Sequence, residues 1–256
     1  MQNFVAGERV VSYLTASDDP RGGGPFELVF RWSDTGKFWQ VAPWVIENAA
    51  ASGMSSRPQQ GVLLLGHGAI DSDRDGVHLA WLSLPLLPMS PDMSVRYFDG
   101  SPDLDTWPTD LAAAIPLWET LPGYTSVSLA WLEGPARWIA LYSQALVDPA
   151  QGIPRARRPV VARIAASPLS LASADEIPLF APCRDGAYGN YMHWPDLDNL
   201  QNDPPGMPND PGWAYGAFLL SKLTEWDPQS RRLGVHYVMS TSRPYQVQLM
   251  RSVLTL

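Results

Sequence analysis

Three aspartates at alternating positions form the densest group of possible metal ligands. Asp71, Asp73 and Asp75 stand in Asp-Ser-Asp-Arg-Asp-Gly, the spacing with which calcium loops direct successive carboxylates at one hard cation. Counted from Asp71, the ninth and twelfth positions are Leu79 and Leu82, so the later ligands of such a loop are missing. Two interpretations stay open: a Ca²⁺ site, or a hairpin turn with surface carboxylates. No other cofactor is predicted.

A histidine among aromatic residues is the strongest candidate for ligand binding. His193 ends the run Tyr-Gly-Asn-Tyr-Met-His and precedes a long loop that carries Asp196 and Asp198. Its imidazole could hydrogen-bond sugar hydroxyls while Trp194 or Tyr191 stacks on a ring face. The alternative is a structural histidine that holds a loop carbonyl.

Other candidate residues lie at predicted strand ends. His67 stands between two glycines, which let a backbone approach a ligand closely. Arg243 falls in the last predicted turn and is a candidate ligand contact, whereas Tyr245 is expected to pack. His78 and His236 fall within predicted strands and are expected to be structural. If these ends meet at one mouth, we expect a shared pentose-binding pocket of His193 with Trp194, His67 or Arg243.

Composition excludes several classes of partner. The chain has 256 residues, a formal net charge of −8 and a pI near 4.9, so it lacks the basic stripe that nucleic-acid binding needs. No apolar run approaches the roughly twenty residues of a membrane helix. Cys183 is the only cysteine, so no intramolecular disulfide forms, and we expect an inert thiol. The N-terminus has no signal-peptide pattern, so we expect either an intracellular protein or a chain that begins after a removed segment.

Strand periodicity dominates the whole chain. Four sheet-like units are predicted, and each is followed by loops rich in Pro, Gly or Asp. At most one or two helical turns are expected, at residues 110–118, because Pro116 interrupts the only candidate. The last unit is predicted as an antiparallel meander with a strand at 216–223, a turn at 226–228, a strand buried on both faces at 233–240 and a final strand from Tyr245. Loops at 48–60, 99–108 and 196–212 are long enough to carry binding groups or to be disordered. Radial repetition of such units predicts an all-β fold of the β-propeller type, with a two-sheet sandwich as the alternative.

The C-terminal segment also carries a family resemblance. YGAFLLSKLTEWDP, followed by LGVHYVMSTSRPYQVQLMRS, closely resembles the end of a family of uncharacterised actinobacterial β-propeller domains. That family includes endo-D-arabinanases, glycoside hydrolases that cut the D-arabinan of mycobacterial-type cell walls. The resemblance continues upstream through residues 61–84, 95–100, 126–142 and 188–193. It implies a single five-bladed propeller domain over residues 1–256 that lacks the family's first blade, and an extracellular or cell-wall location.

The same resemblance sets limits on catalysis. The family's proposed catalytic carboxylates lie in Asp-Leu-Gly and Gly-Asp-Thr segments of the first blade, and no residue here matches them. The Ser33-Asp34-Thr35-Gly36 turn resembles instead the Asp-box hairpin of sialidase-type propellers, and we interpret it as structural. The catalytic residues are therefore unknown. The expected function is a glycoside hydrolase-like propeller that acts on or binds arabinan-type polysaccharide or its oligosaccharides. The alternative is a non-catalytic carbohydrate-binding or protein-interaction propeller.

Overall fold

The computed structural model describes the backbone of the strands and both backbone and side chains over most of the C-terminal half. Side chains are described for residues 53–56, 61, 63–65, 76–81, 83, 96–110, 113–119, 127–143, 159–195, 197–198, 209 and 211–256; only the backbone is described for the strands at 2–6, 9–14, 27–32 and 38–46 and for the rest of those at 61–69 and 75–83. The chain divides into two compact units. Unit 1 comprises Met1–Thr120 with Ala165–Ser173, and unit 2 comprises Leu121–Ile164 with Ala174–Leu256.

The described residues form antiparallel strands without an α-helix, which confirms the all-β class. Their only helical segments are short 3-10 turns, such as Leu104–Thr106 and Ser221–Leu223. Among those residues no helix has the length and hydrophobicity needed to cross a membrane. In chain order the strands are β1 (Gln2–Ala6), β2 (Arg9–Leu14), β3 (Glu27–Trp32), β4 (Phe38–Ile46), β5 (Gly61–Ala69), β6 (Asp75–Ser83), β7 (Arg96–Tyr97), β8 (Trp118–Glu119), β9 (Val127–Leu132), β10 (Arg137–Ser143), β11 (Val160–Ala165), β12 (Ile177–Phe180), β13 (Ala214–Leu219), β14 (Glu225–Asp227), β15 (Arg232–Ser242) and β16 (Tyr245–Thr255).

The first sheet lies in unit 1, and it joins two of the four sheet-like repeats that the sequence predicts. Strands β1 to β7 pair in sequence order, and β8 adds to β6, so that the sheet has eight strands. The connection is β4, which pairs with β3 from Phe38 to Val41 and with β5 from Gln40 to Ile46. A nine-residue strand is long enough to use both edges, so no break separates these two units. The number of propeller blades therefore stays a prediction.

The predicted long loop at 99–108 is ordered. Arg96 donates from one guanidinium nitrogen to the carbonyls of Leu104 and Asp105, at 3.3 and 2.8 Å. Leu104 is fully buried, and Trp107 is buried while its indole N–H donates to the carbonyl of Ser101 at 3.0 Å. Two apolar anchors and an arginine that satisfies loop carbonyls fix this segment without regular structure.

The second sheet, in unit 2, has the order β12-β11-β10-β9. Its hairpin pairs Leu132 with Arg137 and Val127 with Tyr142, on either side of the predicted turn at 133–136. Every residue of β10 from Trp138 to Ser143 is buried, so both faces of this strand are covered. The predicted hairpin is confirmed, but burial does not alternate along its strands: in β9, Trp131 is half-buried whereas Ser128 and Ala130 are buried.

The third sheet places the long β15 between two edges. Strands β13 and β14 pair with different parts of one edge of β15, and β16 pairs along the other. The predicted antiparallel order of the three long strands is confirmed, because β15 lies between β13 and β16. The predicted turn at 226–228 was wrong, because Glu225–Asp227 forms a short strand that pairs with the start of β15. Burial on both faces was also wrong: the side chains of Leu233 to Met239 that point inward are buried, whereas His236 and Val238 are half-buried.

Two serine hydroxyls, one buried and one half-buried, link the second and third sheets. Ser128 Oγ, in β9, accepts from the N–H of Leu219 in β13 at 3.0 Å and donates to the carbonyl of Leu141 at 3.3 Å. Ser252 Oγ, in β16, donates to the carbonyl of Leu179 in β12 at 3.0 Å. The second sheet therefore lies against the inner face of the third.

The Ser128 hydroxyl should stabilise unit 2 measurably. In Ser128→Ala the buried N–H of Leu219 loses its acceptor, so we expect the free energy of unfolding to fall by about 1–3 kcal/mol in urea titration. Ser143 is the matched control, because it is equally buried and its Oγ has no hydrogen-bond partner among the described residues. Ser143→Ala should change stability by less than about 0.5 kcal/mol. Equal losses in the two variants would contradict this assignment.

Candidate functional site

A tight turn between β12 and β13 holds the predicted aromatic and histidine residues together. The carbonyl of Ala187 accepts from the N–H groups of Asn190, Tyr191 and Met192, at 3.2, 3.0 and 3.0 Å. Gly189 has φ = +78°, a conformation that favours glycine, and its N–H donates to the carbonyl of Met192 at 3.0 Å. With Met192 fully buried beneath, this compact turn fixes the direction of the side chains that follow.

The imidazole of His193 is enclosed and bonded on both sides. Its side chain is 2% exposed; Nδ1 lies 2.7 Å from Asp198 Oδ1, and Nε2 lies 2.7 Å from Asn209 Oδ1. The other carboxylate oxygen, Asp198 Oδ2, accepts from the N–H of Trp194 at 3.0 Å. The side chains of His193 and Asp198 thus connect the turn to residues at both ends of the acidic loop. As placed, neither ring nitrogen is free for a ligand.

The backbone of the same residue reaches the last hairpin. The N–H of His193 donates to the carbonyl of Arg243 at 2.7 Å, and its carbonyl accepts from the N–H of Gly212 at 2.8 Å. Gly212 is required at this crossing, since a Cβ there would lie 2.7 Å from the carbonyl oxygen of Arg243. The structure therefore brings the backbones of His193 and Arg243 together, and a pocket shared by their side chains stays a prediction.

Aromatic rings line the exposed side of this cluster. The rings of Tyr188 and Trp194 meet edge to face with centroids 4.8 Å apart, and the Tyr188 hydroxyl donates to the carbonyl of Gly212 at 3.2 Å. Both residues are half-buried, as is Tyr191, whose pKa is raised by burial and secondarily by the charge of Asp185. Aromatic surface and fixed polar groups are thus adjacent. We call this group of residues the His193 cluster, and its members are Tyr188, Tyr191, His193, Trp194, Asp198, Asn209 and Arg243.

The remaining predicted site residues lie in unit 1. His67 is in β5 opposite Val77, and its side chain is outside the described residues. Asp71 and Asp73 are outside them too, and only the backbone of Asp75, the first residue of β6, is described. Within the described part no group of three His, Cys, Asp or Glu side chains is arranged to hold a metal. The Ca²⁺ site and the contribution of His67 stay predictions.

Sequence reasoning missed a second polar cluster in unit 2. The hydroxyl of Tyr142, in β10, donates to Glu176 Oε1 at 2.6 Å and accepts from Arg163 Nε, in β11, at 2.8 Å. Arg163 also donates to the carbonyl of Ala174 at 3.0 Å. Burial, followed by the hydrogen bond to Glu176, raises the pKa of Tyr142 above its usual range. Because Tyr142 is fully buried, this cluster joins strands rather than offering a ligand site. An arginine in an otherwise apolar strand is the signal that could have revealed it.

Tyr237, in β15, is a buried tyrosine near the His193 cluster. Its hydroxyl lies 3.3 Å from Ser252 Oγ, and its side chain is fully enclosed. Burial raises its pKa from 10.0 to about 12, and the charge of Asp185 and the neighbouring Tyr191 add to the rise.

Comparisons with known proteins give no family for this chain. No family model matches it, and no curated protein matches it. Among solved structures it is similar to a Penicillium chrysogenum alpha-L-arabinanase complexed with arabinobiose, at 11% sequence identity and a TM-score of 0.34. The alignment covers 97% of this chain and 60% of that chain, so the chain spans about three fifths of the length of that enzyme. A likeness at this level assigns neither the fold nor the activity, and the resemblance of the C-terminal segment stays a prediction.

Removal of the Asp198 carboxylate should loosen the His193 cluster. Asp198→Ala removes the partner of His193 Nδ1 and the acceptor of the Trp194 N–H, so we expect a loss of about 1–3 kcal/mol in urea unfolding. Asp185→Ala is the control, because that carboxylate pairs with Arg184 nearer the surface; we expect a loss below about 1 kcal/mol. If the control loses as much stability as Asp198→Ala, the bonds to Asp198 are not what holds the cluster.

Tyr237 should make the protein sensitive to alkali. Below pH 10 the Tyr237 hydroxyl is protonated in both the folded and the unfolded protein, so its ionisation does not lower the free energy of unfolding. Between pH 10 and about 12 the unfolded chain releases the proton while the folded protein keeps it, so the free energy of unfolding falls by about 1.4 kcal/mol per pH unit. Tyr237→Phe should show a shallower decline over this window in urea titrations, after both proteins are compared at pH 8. Parallel curves would show that Tyr237 ionises equally in both states.

Proposed function

We propose that the protein binds arabinan-type polysaccharide through the His193 cluster. The observation that carries the proposal is the half-exposed pair of Tyr188 and Trp194, held edge to face beside fixed polar groups. Sugar rings present apolar C–H faces and a rim of hydroxyls, so their sites combine aromatic surface with a few fixed hydrogen-bonding groups. The cluster supplies both on one turn.

The residues of the cluster have different roles in this proposal. Trp194 offers a ring face to the sugar, and Arg243, whose carbonyl bonds to the N–H of His193, is the candidate donor to the sugar hydroxyls. Tyr191 extends the aromatic surface. His193 acts as a positioning residue, because its ring nitrogens are engaged with Asp198 and Asn209, and a sugar hydroxyl would have to replace one of them.

Binding is better supported than hydrolysis. Cleavage of a glycosidic bond normally needs two carboxyl groups on either side of the bond. Among the described residues of the cluster, Asp198 is 9% exposed and accepts two hydrogen bonds, and the nearby Asp185 is paired with Arg184. Neither is available as an acid or a nucleophile in this arrangement. A glycoside hydrolase of the kind the C-terminal resemblance implies would draw its carboxylates from elsewhere.

The propeller architecture is part of the same proposal. In unit 2 two four-stranded antiparallel sheets lie in contact, which neighbouring blades require. A two-sheet sandwich uses the same contact, so this arrangement supports both architectures. If the fold is a propeller, the His193 cluster lies where loops leave the strands. Propellers usually bind their ligands at such positions.

Loss of the Trp194 ring should weaken binding. In affinity electrophoresis with arabinan in the gel, we expect Trp194→Ala to raise the apparent Kd about tenfold, because stacking of one ring contributes roughly 1.4 kcal/mol. Trp194→Phe keeps an aromatic face and should retain most of the retardation. Thermal unfolding of both variants separates lost binding from lost folding.

Other outcomes would decide against the proposal. Equal migration of the wild-type protein with and without arabinan would refute binding. Release of short fragments during incubation with arabinan would show hydrolysis, and would mean that carboxylates outside the cluster do the chemistry.

A further inference from the structure

The outer face of the third sheet, opposite the second sheet, is apolar. The register of the sheet sets Phe218 beside Val238 and Leu249, and Tyr215 beside Ser240 and Val247. The rings of Tyr215 and Tyr245 stand 6.3 Å apart. Together these side chains form one patch, which we call the outer face: Tyr215, Phe218, Val238, Tyr245, Val247 and Leu249.

This face is open to solvent to an unusual degree. Tyr245, Leu249 and Val247 are 73%, 66% and 64% exposed, and Phe218 is 52% exposed. Single exposed apolar residues need no explanation, but a contiguous patch of them marks an interaction surface. In the part of the chain that the structure describes, no segment covers the patch.

We propose that the outer face is the interface with a second copy of this chain. The protein carries a net charge of −8, so most approaches between two copies are opposed by repulsion. The outer face has no charge of its own, and at its margin Arg251 and Glu225 neutralise each other at 2.9 Å. Two copies can therefore meet here with little repulsion. A basic partner would find no acidic group on this face to pair with.

Two-fold symmetry makes the face complementary to itself. In an isologous contact the same patch serves both copies, so no second surface has to be found. Two such sheet faces pack about 10 Å apart with their side chains interdigitated, as in a β-sandwich. The rows of the outer face offer alternating large and small side chains for this packing, such as Phe218 and Val238.

The available area predicts a weak dimer. The exposed parts of these side chains offer on the order of 500 Å² of apolar surface per copy. A standard stable interface buries about 800 Å² per partner. We therefore expect a dimer with a Kd in the micromolar range, in rapid exchange with the monomer.

Sedimentation velocity tests the proposal. Across protein concentrations of about 1 to about 200 μM, the wild-type chain should shift from monomer to dimer. Leu249→Lys places like charges across the two-fold axis and should raise the Kd at least about tenfold. Phe218→Ser, on a different strand, should weaken the dimer independently. The matched control is Leu197→Lys, at a leucine that is 61% exposed and lies outside the outer face.

The outcomes divide cleanly. Circular dichroism first checks that each variant keeps the wild-type spectrum. Wild-type monomer at every concentration overturns the proposal and leaves the face to another protein or to another part of this chain. A dimer that survives both Leu249→Lys and Phe218→Ser, or that Leu197→Lys disrupts equally, overturns it as well. Arabinan binding is not needed for any of these results, so the proposal stands or falls separately from the proposed function.

Discussion

The antiparallel pairing of β15 with β16 is the constraint on which the third sheet depends. Eleven residue pairs run without interruption from Arg232–Thr255 to Ser242–Tyr245. Because side chains alternate between faces, a slip of one residue would exchange the two faces throughout the strand. If β15 slipped, Leu233 and Val235 would move into solvent; if β16 slipped, Val253 would move against the second sheet. The cost of exposing the buried side chains therefore holds one register.

The same register fixes the turn that supports the His193 cluster. Thr241 Oγ1 donates to the carbonyl of Pro244 at 2.6 Å, and Ser242 exchanges hydrogen bonds with the backbone of Trp213, each at 3.0 Å. These bonds hold the carbonyl of Arg243 where the N–H of His193 reaches it. The cluster is thus built on the rigid end of a hairpin, and its geometry does not rely on the loop alone.

Alternation in the sequence was sufficient to predict most strands but not their partners. The hairpin of β9 and β10 was predicted because its apolar residues alternate and its turn is short. The pairing of β4 with β5 was missed, because nothing in the local pattern shows that a strand will use both edges. The same limit hid β14, whose three residues are fewer than any periodicity can reveal. Such pairings are decided by long-range packing, which local propensity does not encode.

The candidate site was likewise predicted only in part from the sequence. His193, Trp194, Tyr191 and Arg243 were expected near one another from residue type and position at strand ends. Asn209 was missed, because it lies sixteen residues from His193 across a loop with no periodic pattern. The network of Tyr142, Arg163 and Glu176 was missed for a related reason: its members come from separate segments and meet only after β10 and β11 are aligned.

The hairpin turn also connects the two proposed surfaces. Arg243 belongs to the His193 cluster, and Tyr245, two residues later, belongs to the outer face. A displacement of the turn by a ligand would shift the first residue pairs of β15 and β16, and with them Tyr245. If both proposals hold and a ligand displaces the turn, ligand binding and dimerisation are coupled, and thermodynamic linkage requires that each change the other by the same factor. The magnitude depends on how far the turn moves, and the hydrogen bonds of Thr241 and Ser242 oppose that movement. Because these hydrogen bonds hold the turn in place, we expect a rigid site and weak coupling. Loss of the Thr241 hydroxyl would strengthen the coupling, and it would destabilise both the His193 cluster and the outer face.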